Sequence, residues 1–172
     1  MNQRPSEQEY APPVHRYVSI VPEGAILSII EAQHASTIAL LNGLSPEQAD
    51  YRYAEGKWSV KEVIGHVTDN ERVWAYRLLR IARGDAQGLI GYDENVFAAH
   101  APFASLPLAD VIAEYDAVRR STLYLLRALA PEDWSSRGDF AGHPLTVRAA
   151  AYMIAGHEAH HINVINERYL SR

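Results

Sequence analysis

Four stretches of this chain repeat apolar side chains at the spacing of one helix face, and that periodicity limits the fold more than any other feature. The first begins near Glu23 and keeps Ile26, Ile29, Ile30, Gln33, Thr37, Leu40, Leu41 and Leu44 in step, with Gly43 and Pro46 marking its end. The second carries Val60, Val63, Ile64, Val67, Trp74, Leu78 and Ile81 and stops at Gly84. Its start is written as Ser59-Val-Lys-Glu62, a capping box in which each end satisfies the other's backbone N–H. The third runs from about Leu106 to Leu129, with Pro107 in the first turn, where a missing N–H has no partner to lose. The fourth follows Thr146, a fitting N-cap, and turns Val147, Ala150, Ala151, Ile154, Val164 and Ile165 to one side. Four such helices and no convincing strand predict an all-α four-helix bundle.

The connections refine this. Gly84 to Ser105 is longer than the few residues that join adjacent antiparallel helices. A long connection between helices two and three is expected where consecutive helices do not simply reverse, and Tyr92, Phe97 and Phe103 give it apolar anchors. Pro131 to Leu145 reads as a second loop, with a weak hairpin signal near Phe140. Pro5, Pro12, Pro13 and Pro22 exclude a helix across residues 1–22, so this segment is expected to be an extended arm, with Val14, Tyr17, Val18, Ile20 and Val21 free to pack on the body. The expected division is therefore an arm, 1–22, and one helical domain, 23–172.

Composition removes several function classes. The formal net charge is -5 and no Lys/Arg block stands out, which argues against nucleic acid as a partner. No apolar run is long enough for a membrane span, and the polar, proline-bearing N-terminal residues lack a signal core, so a cytoplasmic protein without a membrane partner is expected. There is no cysteine. A transition-metal site must then use histidine with carboxylate or water, and a thiol in the chemistry must come from outside.

The densest ligand chemistry is His157-Glu158-Ala159-His160-His161. On a helix His157 and His161 lie one turn apart on one face, in line with the buried stripe, and two imidazoles so placed can grip one metal ion. His160 points about 100° away. The letters also spell the zinc-protease helix, in which the Glu is general base. That chemistry needs a third protein ligand downstream, and only eleven residues follow His161. The third ligand is therefore sought upstream, among His34, His66, His100, His143 and several carboxylates. His66 has the strongest context, inside a well-capped amphipathic helix with Asp69 and Asn70 on its own face. His34 reads as a polar edge residue, His100 and His143 lie in loops, and His15 is in the arm. Three histidines would leave one tetrahedral position for water or substrate.

Trp58-Ser59-x-x-Glu62-x-x-x-His66 followed by a late His157-x-x-x-His161 resembles the DinB-like (DinB/YfiT-like) metalloenzymes over residues 23 to 170. The resemblance implies an up-down-down-up bundle and a metal, zinc or nickel, on His66, His157 and His161. It also implies frequent dimers and activities that include transfer or isomerisation with low-molecular-weight thiols (bacillithiol, mycothiol, glutathione) and metal-dependent hydrolysis. The leading expectation is a metal-dependent transferase presenting an external thiolate to a small electrophilic substrate. The alternatives are a hydrolase with Glu158 as base, and a non-catalytic stress-response or binding module with a structural metal. His160 and Asp69 are candidates for supporting the ligands, and a purely structural role suffices to explain each.

Overall fold

The computed structural model describes residues 3–85 and 88–171. Its helices are α1 (His15–Val18), α2 (Ile26–Asn42), α3 (Pro46–Asp50), α4 (Val60–Ala82), α5 (Glu94–His100), α6 (Leu108–Arg127) and α7 (Val147–Val164), the last running on as a wider turn over Ile165–Leu170. The four expected helices are α2, α4, α6 and α7. The capping box at the start of α4 is formed: Ser59 N donates to Glu62 Oε2 at 2.7 Å and Glu62 N donates to Ser59 Oγ at 3.3 Å. Thr146 caps α7, accepting from Ala149 N at 3.1 Å. Pro107 sits at the N-cap of α6 rather than within its first turn, and Pro46 opens the short α3 as well as ending the stretch before it.

Contacts between helices give their directions. Glu31 meets Arg127 and His34 meets Asp116, so α2 and α6 are antiparallel. Lys61 reaches the Leu106 carbonyl and Arg72 pairs with Glu114, so α4 and α6 are parallel. Gln33 donates to the Ala155 carbonyl and Thr37 to Glu158, so α2 and α7 are parallel. Tyr169 donates to the Trp58 carbonyl while His66 touches His157, so α4 and α7 are antiparallel. The course is up-down-down-up. Because α4 and α6 point the same way, the chain must climb back along a helix of 23 residues, about 35 Å. Residues 83–107, with α5 inside them, do this, which is why the second connection is long.

The apolar core is in two parts. One gathers Ile30, Leu78, Leu126 and Ile154 and is covered by the N-terminal segment; the other gathers Leu41, Ile64, Val111, Tyr115 and Ile165. Between them a polar layer crosses all four helices, with Thr37, His66, Glu71, Arg119, Thr122, His157 and Glu158 buried. The N-terminal segment is less extended than its prolines imply. It winds into short turns at Glu7–Glu9 and Pro12–Val14 and then α1, because proline is tolerated at the start of a helical turn. Tyr10, Val14, Tyr17, Val18 and Val21 are buried, whereas Ile20 faces solvent. The approach of α1 to α7 is close: a Cβ on Gly156 would lie 2.1 Å from the Tyr17 carbonyl oxygen. Glu9 ties the segment down through Arg148 and the Thr146 hydroxyl. The weak hairpin signal is realised as β1 (Arg137–Phe140) and β2 (His143–Thr146), paired antiparallel with Phe140 opposite His143. Among the described residues no helix is long and apolar enough to cross a membrane.

Candidate metal centre

The capped start of α4 and the packing of α4 on α7 bring His66 to His157 and His161. His66 comes from the second turn of α4, and the pair from successive turns of α7. One ring nitrogen from each of the three lies within 4.8 Å of the others. His66 Nε2 and His157 Nε2 are 3.1 Å apart, and the ring centroids are 4.5 to 4.9 Å apart. Two nitrogens on one tetrahedral zinc would be about 3.3 Å apart, from bonds of about 2.05 Å. The His66–His157 pair stands near that spacing, and the third nitrogen is close enough for the cluster to converge on one ion.

The electrostatics fit as well. Burial pushes all three imidazoles below their ordinary pKa, His161 to about 3 and His157 well down, with the neighbouring imidazoles adding to the shift for His157 and His161. The rings are then neutral at physiological pH and keep lone pairs for a cation. Aromatic rings close around them. Trp58 stands 4.9 Å from His66, and Tyr17 stands 5.2 Å from His157, centroid to centroid. A cleft of about 400 Å³ opens beside His161, lined by Tyr53, Lys57, Trp58, Asn95, His160 and Tyr169 among others. A second cavity, of about 180 Å³, reaches His157 from the side of α1 and the crossing connection.

Glu158 is not brought to this cluster. One residue on from His157, it turns towards α2 and α6, where Thr37 Oγ1 and Tyr115 OH each donate to its Oε1 at 2.6 Å. Its Oε2 is ion-paired to Arg119 Nη2 at 2.5 Å. That contact lacks the angle of a hydrogen bond, so Glu158 Oε2 has no hydrogen-bond partner among the described residues; Arg119 Nη1, which takes no part in it, has none either. Arg119 also forks onto Glu71, at 2.7 to 3.0 Å. All three charged side chains are essentially inaccessible, and burial raises the Tyr115 hydroxyl far above its usual range, with the Glu158 carboxylate adding to the shift and the Arg119 guanidinium opposing it. A carboxylate held this way ties α7 to α2 and α6 and turns away from the histidines, so it is not placed for proton transfer at them.

The remaining histidines have other surroundings. His160 is exposed, with its ring 5.0 Å from that of His161 and 5.7 Å from that of Tyr17. Asp69 lies beside His66 in a narrow cavity but is paired with Arg72. His34 is bound to Asp116 at 2.7 Å, His100 to the Val96 carbonyl, and His15 to the Tyr10 hydroxyl. His143 is exposed in β2. Sequence reasoning overlooked Glu71 and Arg119. A signal was present: Glu71 falls between Val67 and Trp74, and Arg119 between Tyr115 and Thr122, both on buried faces at helical spacing. Charges in those positions require partners.

Residues 29–165 match the DinB superfamily. A protein of Bacillus pumilus named "Putative metal-dependent hydrolase" is 29% identical over 132 residues, covering 75% of this chain and 74% of that protein. Another of that name, from Oceanobacillus iheyensis, is 33% identical over 91 residues and 52% of each chain. Among solved structures, YfiT from Bacillus subtilis, described as a probable metal-dependent hydrolase with an unusual four-helix bundle topology, superposes with a TM-score of 0.75 at 18% identity, covering 96% of this chain and 91% of that one. A mycothiol-dependent maleylpyruvate isomerase superposes with a TM-score of 0.66 at 13% identity, covering 80% of this chain and 58% of that one. At these identities the two structures share the fold.

Proposed function

The chain belongs to the DinB superfamily, and on that premise we propose that it is an enzyme dependent on a divalent transition metal held by His66, His157 and His161, acting on a small molecule admitted beside His161. The observation that carries this reading is the convergence of three neutral imidazole nitrogens within 4.8 Å, from two helices, at the edge of a cleft. Three nitrogen donors of borderline softness suit zinc or nickel. A metal there would lower the pKa of an external thiol or of water at its free position and so supply a nucleophile at neutral pH.

The chain's own residues do the rest. Burial keeps the imidazoles unprotonated, and the rings of Trp58 and Tyr17 shield them from bulk water. Tyr53, Trp58 and Tyr169 offer apolar faces in the cleft, with Lys57, Asn95 and His160 as polar points. We favour an external thiol as the activated group. The chain has no cysteine of its own, and Glu158, the carboxylate beside a ligand, is engaged by Thr37, Tyr115 and Arg119. Hydrolysis is the second reading, supported by the names of the relatives. It would require a base other than Glu158, and His160 is placed for that beside His161.

The test uses tag-free protein, measured for metal and then assayed with glutathione, bacillithiol or mycothiol against a chloronitroaromatic electrophile, and separately with activated esters. Thiol conjugation lost on chelation and in His157→Ala supports the first reading. Ester hydrolysis with the same two dependences supports the second. Turnover that survives both treatments overturns the metal-enzyme proposal. Bound metal without turnover, and an unfolding temperature that drops on chelation, would make the metal structural.

A further inference from the structure

The cavity of about 180 Å³ behind His157 contains a charge with which no described residue forms an ion pair. Arg77, on α4, is 3% exposed. Its guanidinium lies over Phe140 at 4.3 Å and Trp74 at 4.7 Å, and Nη2 donates to the Ile90 carbonyl at 2.7 Å. Among the described residues no carboxylate lies within ion-pair distance of it. The contrast with Arg119, equally buried and flanked by two carboxylates, is direct. Stacking on aromatic faces fixes where the guanidinium sits, but rings and one carbonyl do not neutralise it. A guanidinium has five N–H groups, and the remaining nitrogens of Arg77 are not sealed inside the protein. They have the cavity to face.

Three further features point the same way. Arg16, on α1, lines the same cavity, donates to the Tyr17 hydroxyl and has no carboxylate partner among the described residues. Asn70, 4% exposed, donates through Nδ2 to the Tyr92 hydroxyl at 2.8 Å and leaves its Oδ1 acceptor without a partner among the described residues, a place for a hydroxyl or other donor group of an occupant and not for its carboxylate. His157 forms part of the wall, so whatever fills the space abuts the three-histidine cluster. Burial holds the Arg77 pKa down, with Tyr92 opposing it, as for a cation awaiting a counter-ion. Glu94, the carboxylate in the lining, is solvent-exposed and sits at the rim.

We propose that this cavity binds a compact carboxylate-bearing molecule, its carboxylate paired with Arg77 and Arg16 and its other end against His157. The space, about 180 Å³ and open to solvent on one side, has room for an acid of a few carbons. Planar, bidentate pairing is what guanidinium offers a carboxylate, and the aromatic walls suit a short carbon chain. The carboxylate site stands on the cavity alone. That its occupant is the substrate rests on the metal-enzyme reading.

The experiment is a titration of the full chain with malonate, succinate and glutarate at low ionic strength, by calorimetry and by tryptophan fluorescence, since Trp74 is in the wall. It is run on chelated and on metal-loaded protein, with bound metal measured in each variant. Saturable binding of one of these acids is expected in both forms. It should weaken about tenfold or more in Arg77→Gln and several-fold in the surface variant Arg16→Gln, and tighten in Glu94→Gln, with bound metal unchanged throughout. Arg16→Gln and Glu94→Gln keep the test decisive if Arg77→Gln does not fold. No saturable binding at millimolar acid, or binding indifferent to Arg16 and Arg77, overturns the proposal. Acid binding without metal binding would leave the cavity standing and remove the metal-enzyme reading; metal binding without acid binding would do the reverse.

Discussion

Replacing Arg119 by Met tests the polar layer at its centre. Arg119 is 0% exposed, with Glu71 at 2% and Glu158 at 1%, so no member of the trio has water to fall back on. The substitution keeps approximate length and removes the charge. It deletes the fork onto Glu71 and the contact to Glu158 Oε2, leaving two buried carboxylates without their cation. Breaking a buried ion pair from one side costs about 3–5 kcal/mol. A chain of this size shifts its unfolding temperature by about 2–4 °C per kcal/mol, so a fall of about 6–20 °C is expected. The two carboxylates should not suffer equally. Glu158 keeps the hydroxyls of Thr37 and Tyr115, whereas Glu71 loses its only hydrogen-bond partner among the described residues. Adding Glu71→Gln to Arg119→Met should therefore recover more stability than adding Glu158→Gln. Urea denaturation of the single and double variants, with bound metal held constant, gives the comparison. A loss below about 1 kcal/mol in Arg119→Met, or equal recovery from the two second substitutions, would refute the reasoning.

Three further outcomes are expected. His66→Ala and His157→Ala should each lower zinc or nickel affinity by at least tenfold, measured by competition with a chromogenic chelator, because each removes one of three donors. Chelated protein should lose stability as pH falls from about 6.5. The imidazoles have lowered pKa values in the fold, so the unfolded chain binds more protons there, and the loss continues down to about 3 for His161. Urea midpoints at about pH 7.5 and pH 5.5 should differ, and the difference should shrink in a His161→Asn variant. Gly156→Ala would place a methyl group 2.1 Å from the Tyr17 carbonyl oxygen and should prise α1 from α7. Limited proteolysis should then cut between residues 12 and 22 faster than in the parent protein.

Much of the fold was legible because it is written in contiguous residues. Apolar spacing gave the four helices, Ser59 and Glu62 the start of α4, and the length of the second connection a non-reversing course. The i, i+4 relation of His157 and His161 is equally local, and it survives whatever the helix packs against. The N-terminal segment was read less well. Its prolines speak about backbone freedom, whereas the burial of Tyr10, Val14 and Val18 depends on a groove offered by α7.

By itself, then, the sequence determined the four long helices, the faces they would bury, and that two histidines would share one of those faces. Tertiary structure alone decided which helix each face would meet. The same turn of α7 presents His157 to α4 and Glu158 to α2 and α6, so one becomes part of a nitrogen cluster and the other an anchor for Arg119. Adjacent residues on a helix diverge by about 100°, and only the arrangement of neighbouring helices says what lies in each direction.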